Sequence, residues 1–157
     1  MAKPKQEFGL TPYIVVRDAK AAIAFYQEAF GAKEIFRLVA PNDGRIGHAE
    51  LKIGDGQLFL ADEFPDFGAV APDTVGGTSI KFHLLVEDAD KTFTRALKAG
   101  ATELRKLKNE FYGERSGLLA DPFGYSWFIS SRVEDVSPRE MQERWNKIGS
   151  APSTSQS

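Results

Sequence analysis

Cysteine is absent from the 157 residues. With it go disulfide frameworks, thiolate nucleophiles and cysteine-ligated zinc, and a reducing, cytoplasmic address is the expectation. Long apolar runs are missing too: no window approaches the roughly eighteen apolar residues a membrane helix needs. The opening "MAKPKQEFG" has no apolar core of the kind a secretory leader requires, so neither membrane insertion nor export is expected. A net charge of −2, with signs interspersed and no basic stripe, leaves no footprint for nucleic acid or an anionic membrane surface. Phosphate loop, nucleophile elbow and HExxH are all missing, and the "GDG" at 54–56 reads as a turn.

What is present is ordinary globular material. With 42% hydrophobic and 27% charged residues, the chain can bury the core of one domain without staples. Two segments share a pattern, "TPYIVVRDAKAAIAFYQEAFGAKE" and "KFHLLVEDADKTFTRALKAGATE". Each opens on a β-branched or aliphatic run, meets an Asp suited to cap a helix, continues with helically spaced apolar residues and stops at Gly. In the first, Asp18 caps, Ala22, Ile23, Tyr26 and Phe30 form the stripe, and Gly31 ends it. In the second, Asp88 caps, Ala89, Phe93, Ala96 and Leu97 form the stripe, and Gly100 ends it. Three strand-like stretches follow each helix, at 33–39, 46–53 and 57–61, then at 103–107, 111–119 and 125–131. Each half reads β-α-β-β-β.

The expected organisation is an α+β fold of two βαβββ modules, 8–62 and 78–136, joined by a linker at 63–77. A helix over 137–148 follows, with Ser137 as N-cap, Pro138 at its first position and Glu140 completing a capping box. Met141, Trp145 and Ile148 make a docking stripe for this chain or a neighbour's, and the tail 149–157 is expected to be disordered.

The strings "TPYIVVRDAKAAIAFYQEAFGA", "HAELKIGD", "LADEFPDFG", "FHLLVEDAD" and "DPFGYSW" make the chain resemble the vicinal oxygen chelate superfamily. That group contains glyoxalase I, bleomycin-resistance proteins and extradiol dioxygenases, and the resemblance is to its PhnB-like branch, over roughly residues 8 to 136. It implies that the modules pair about a pseudo-twofold axis, their sheets curling into a mixed-sheet cup with the helices outside. Metal-using members hold a divalent ion with four ligands, on the first and fourth strands of each module, and use it as a Lewis acid. Carried onto this chain, those positions are Thr11, Lys81, Phe59 and Phe128. None is a usual metal ligand, so no metal site and no cofactor are expected at them.

Phe128 then has two readings: it fills the cup as core, or it opposes Phe59 across an apolar pocket for a planar or hydrophobic ligand. Strand alternation turns Thr11, Tyr13, His48, Glu50, Lys52, Lys81 and His83 toward the cup. The set Ile14, Val16, Ala49, Leu51, Leu58, Leu60, Phe82, Leu84 and Val86 turns toward the helices. His83 is either a satisfied structural residue or a base and ligand-orienting donor. His48 and Glu50 are an acid–base pair, part of a displaced metal site, or a solvated cross-strand network. Arg115, in "FYGERSG", either receives an anionic group of a ligand or pairs with Glu114 or Asp121. Asp62, Glu63 and Asp66 read as a solvated loop, and Phe64 and Phe67 anchor that loop or an interface.

Three functions remain open. The first is a metal-independent, homodimeric protein that binds a small hydrophobic or aromatic molecule, as the resistance relatives do, through Tyr13, Phe59, His83, Arg115 and Phe128. The second is a glyoxalase-type lyase or isomerase, with a displaced divalent metal or acid–base chemistry by His83, His48 and Glu50. The third is an oligomerising scaffold with a filled cup.

Overall fold

The computed structural model describes residues 8–150. Tyr13–Val16 forms β1, Ala19–Phe30 α1, Lys33–Val39 β2, Ile46–Ile53 β3 and Gly56–Asp62 β4. A one-turn helix, α2 at Pro72–Val75, lies in the connection to the second half. There Lys81–Leu85 forms β5, Ala89–Ala99 α3, Thr102–Asn109 β6, Glu114–Ala120 β7 and Ser126–Arg132 β8, and Pro138–Ser150 closes the chain as α4. The two halves therefore repeat β-α-β-β-β, as the sequence pattern predicts. The strand expected from residue 111 starts instead at Glu114, because Phe111–Gly113 is a turn closed by the Gly113 amide on the Glu110 carbonyl. The last helix runs two residues past its expected end, and the rest of the tail expectation lies outside the described residues.

Each half folds into one four-stranded sheet, in the orders β1-β4-β3-β2 and β5-β8-β7-β6. The first strand runs parallel to the fourth, and the other pairings are antiparallel. The helices begin where the sequence places them: the Asp18 side chain accepts from the Ala21 amide and that of Asp88 from the Lys91 amide. Gly31, in the left-handed region at φ 68°, closes α1 with its amide on the last carbonyls.

One face of each sheet meets the helices. Ile14, Val16, Ala49, Leu51, Leu58 and Leu60 are buried there, and Phe82, Leu84 and Val86 pack against the same core. The two halves join through this layer, with α1 lying against α3. Phe25 and Tyr26 of α1 contact Phe123, and Tyr26 and Phe30 contact Trp127 across the junction. No ladder links the two sheets, so the cup is two separate four-stranded faces rather than one continuous sheet.

The junction is organised by a carboxylate. Asp121 is 5% exposed and accepts from the Tyr26 hydroxyl at 2.6 Å, the Trp127 indole N–H at 2.9 Å, and the amides of Phe123 and Tyr125 at 2.8 and 3.0 Å. Burial first, and then the Asp121 charge, hold the Tyr26 phenol well above its ordinary value of 10.0. An unfolded chain ionises this tyrosine at ordinary alkaline pH while the fold keeps it neutral. Its contribution is therefore complete below pH 10.0 and is lost as pH rises further. Urea midpoints are expected to fall as pH rises above about 10, with a shallower fall in Tyr26→Phe; equal slopes in the two proteins would contradict this.

The C-terminal helix docks by polar contacts rather than by its apolar stripe. Arg144 donates to the Phe111 carbonyl and to Glu134 and Glu140, while Trp145 touches Phe111 from a largely exposed position. Ser137 caps the helix as expected, accepting from the Glu140 amide at 3.2 Å. The Glu140 side chain turns to Arg144 instead of completing the box.

Candidate functional site on the cup face

Away from the helices, both sheets present open faces. On the first, strand alternation and register bring Tyr13, Phe36, His48, Glu50 and Phe59 together: Tyr13 pairs with Phe59, Glu50 with Phe59 and Phe36, and His48 with Leu38. The rings surround His48, with centroids of Phe59, Tyr13 and Phe36 at 5.3, 5.4 and 5.7 Å. The Tyr13 hydroxyl is 2.8 Å from His48 Nδ1, and His48 Nε2 is 2.8 Å from Glu50 Oε2. Burial, reinforced by the Glu50 charge, raises the Tyr13 phenol above its usual range.

Tyr13 also borders a cavity of about 520 Å³. Val15, Gly47 and Ala61 line its sheet side, and Phe64, Phe67, Gly68 and Ala69 line it from the loop after β4. Gly47 sits where β3 slips register, with Ile46 opposite Val39 and His48 opposite Leu38, so the floor carries no side chain there. Asp62 and Glu63 are bonded rather than solvated, which corrects the sequence reading for those two, while Asp66 is exposed as expected. Asp62 accepts from the amides of Ala19 and Ile46, both at 2.7 Å, and Glu63 accepts from the Ala71 amide at 2.7 Å and from the Thr74 hydroxyl. These bonds hold the Glu63 carboxyl below its usual range, the Thr74 hydroxyl contributing most. Phe64 lies under the Arg45 guanidinium at 4.1 Å from the ring centroid, and Arg45 donates to the Glu63 carbonyl. Phe67, 88% exposed, stands at the cavity mouth. The spacing of two aromatics around "PD" before Gly marks such a compact turn in sequence, but not which face it covers.

The second sheet carries a separate cluster. His83 pairs with Phe128 in the ladder, and its Nε2 lies 2.9 Å from Glu114 Oε2. Arg105 rests over the Phe128 ring at 5.9 Å. The expected opposition of Phe59 and Phe128 is not seen: each ring packs with residues of its own sheet. Nor is either face filled, since Tyr13 and His83 stay about half exposed on them, at 52% for Tyr13.

Arg115 lies apart from both clusters. It pairs with Ser131 on the helix side of the sheet, because Ser116 and Ser130 take the cup side. There it grips Asp90 of α3 with two N–H donors, at 2.7 and 2.9 Å, instead of the Glu114 or Asp121 that sequence offered. That grip lowers the Asp90 carboxyl and raises the guanidinium.

Comparison with known protein families places this geometry. The family model "Glyoxalase/Bleomycin resistance protein/Dioxygenase superfamily" matches residues 9–129, and the chain belongs to that superfamily. An uncharacterized protein of Mycobacterium bovis, Mb0911c, is 40% identical over 146 residues, covering 91% of this chain and 95% of that protein. Among solved structures, PA1353 of Pseudomonas aeruginosa superposes with a TM-score of 0.66 at 22% identity, covering 82% of this chain and all of that one. The At5g48480 gene product of Arabidopsis thaliana gives 0.61 at 23% identity, with 82% and 98% covered. At these identities the structures show the fold alone.

The metal that some members of the superfamily use does not fit the donors present. Thr11 meets Gln57, Phe59 and Phe128 offer no lone pair, and Lys81 brings a like charge. Among the described residues no three His, Asp or Glu side chains gather as a metal site requires. The pairs His48–Glu50 and His83–Glu114 each supply two donors, on separate sheets.

Proposed function

We propose that the chain is a binding protein of this superfamily, of its PhnB-like branch, that captures a small hydrophobic or aromatic molecule on the cup face of the first sheet. One observation carries the reading: an open cleft of about 520 Å³ with an apolar floor, Phe64 and Phe67 along one side and a polar side chain, Tyr13, at its border. A volume in this range suits a small-molecule ligand, and apolar walls with few polar groups are the usual make-up of such sites. Phe59, beside Tyr13 and His48, extends the aromatic wall. Capture by shape and apolar contact needs no Lewis acid, in keeping with the donor set.

The reading includes a second copy of the chain. The strand β2 is an edge, and Ile35, Leu38 and Val39 on it are more than half exposed. An edge of that kind favours pairing. Light scattering after gel filtration is expected to return twice the chain mass.

The test is a titration with an uncharged aromatic probe such as 4-nitroanisole, read by protein fluorescence. Val15→Trp fills the floor and should abolish saturable binding, while Phe67→Ala, which removes an exposed side chain, should weaken it about tenfold with no shift of the unfolding midpoint. Unchanged affinity in both variants would remove this cavity from the function.

A further inference from the structure

Tyr13, which borders the cavity, is joined without a break to His48 and through it to Glu50, and the order of their protons is fixed by chemistry. A carboxylate has no proton to give, so Glu50 accepts, and His48 Nε2 must carry the hydrogen in that 2.8 Å contact. Nδ1 of the neutral ring is then a lone pair. The only hydrogen available to the 2.8 Å contact at Nδ1 is that of the Tyr13 hydroxyl, which donates to it. With its proton turned toward His48, the Tyr13 oxygen keeps lone pairs free to accept, and Tyr13 borders the cavity.

We propose that Tyr13, His48 and Glu50 form a proton relay that accepts the proton of an acidic hydroxyl, a phenol or an enol, on the captured ligand. This rests on the binding reading above and deepens it by naming the ligand's chemical class. In the step, the ligand O–H bond breaks and a new O–H bond forms at Tyr13. The original Tyr13 proton passes to His48 Nδ1. The ligand is left as an oxyanion hydrogen-bonded by Tyr13, and Glu50 balances the imidazolium. One proton has moved from ligand to His48, no electron pair leaves the pair of molecules, and release reverses the step. Tyr13 alone touches the ligand; His48 and Glu50 act through it as positioning residues.

The surroundings favour this direction. Burial and the Glu50 charge keep the resting phenol protonated, so the relay starts loaded. The groups that face His48 from β2 and β4 are Leu38, Phe36 and Phe59, which carry no charge. On β3, Lys52 follows Glu50 on the same face, and Asp62 at the end of β4 is held by two backbone amides. Glu50 is therefore the charged group bonded to the ring.

The experiment uses 4-nitrophenol, whose anion is coloured, alongside 4-nitroanisole, which has no proton to lose. Both are titrated into the full chain across pH. Bound nitrophenol is expected to ionise about one pH unit below the free compound, a tenfold shift toward the anion. Glu50→Gln decides the cause, because the two accounts have opposite signs. Simple electrostatics predicts that loss of a negative charge lowers the bound midpoint further. The relay predicts that it rises to the free value, since nothing then stabilises the imidazolium. Tyr13→Phe should restore the free value as well. If nitroanisole binds but nitrophenol ionises as it does in water, or if Glu50→Gln lowers the midpoint, the relay is refuted and the binding reading stands. If neither compound binds, both fall.

Discussion

Asp121→Ala is expected to destabilise the fold by about 4 kcal/mol, a large share of the 5–15 kcal/mol typical of a domain. Four buried donors lose their acceptor at once: the Tyr26 hydroxyl, the Trp127 indole and the amides of Phe123 and Tyr125. Each unsatisfied buried donor carries a penalty of about 1–3 kcal/mol, and partial rearrangement keeps the sum below the simple total. The tyrosine lies on α1 of the first half and the carboxylate and indole lie in the second, so the break falls on the junction between halves. Asp121→Asn separates hydrogen bonding from charge. Its amide oxygen still accepts from the two backbone amides, and the Tyr26 hydroxyl can turn to accept from its NH₂. The indole cannot turn, having only a donor. The asparagine variant should therefore lose about half as much, near 2 kcal/mol. Urea denaturation of the three proteins measures both; a loss under about 1 kcal/mol for alanine would show that the network is dispensable.

Gly113→Ala should lower stability by about 3 kcal/mol, the second largest effect expected. The residue lies at φ 91°, where an L side chain is strained. A Cβ there would stand 2.4 Å from the Glu134 carbonyl oxygen and 2.9 Å from Val136 Cγ2. Backbone on the other side of the clash cannot swing away, because the Gly113 carbonyl already accepts from the amides of Val133 and Glu134. The turn joins Phe111, which receives Arg144 and Trp145 of α4, to Glu114, the partner of His83. Loss of the turn should thus release the C-terminal helix together with the second sheet's polar cluster. Proteolysis at the 133–137 connection would report it; an unchanged digestion pattern and melting temperature would contradict the close contact.

The helix caps and stripes were legible because they are local. Asp18, Gly31 and Asp88 act within one turn of where they stand, and the alternation of "KFHLL" or "ELKI" settles which side chains face the helices. The same alternation puts Tyr13, His48, Glu50 and Phe59 on one face. Arg115 went astray for a related reason. Its neighbourhood in "FYGERSG" suggests a rim, yet parity along β7 sends it to the helix side, and the partner there, Asp90, belongs to another element. Asp62 and Glu63 differ from their sequence expectation for the same reason: acidic residues in a loop look solvated until distant amides from Ala19, Ile46 and Ala71 come to meet them.

By itself, then, the chain's residue pattern determined the repeat, the caps and the buried faces, all of which depend on neighbours within a few positions or on strand parity. Only the tertiary structure decided that the two aromatic positions lie in separate clusters, that the loop with Phe64 and Phe67 roofs a cavity over the first sheet, and that Tyr13, His48 and Glu50 connect in line. Those features join residues on different strands and loops, and their distances are set by sheet register, a β-bulge and the packing of the two halves, none of which a one-dimensional pattern encodes.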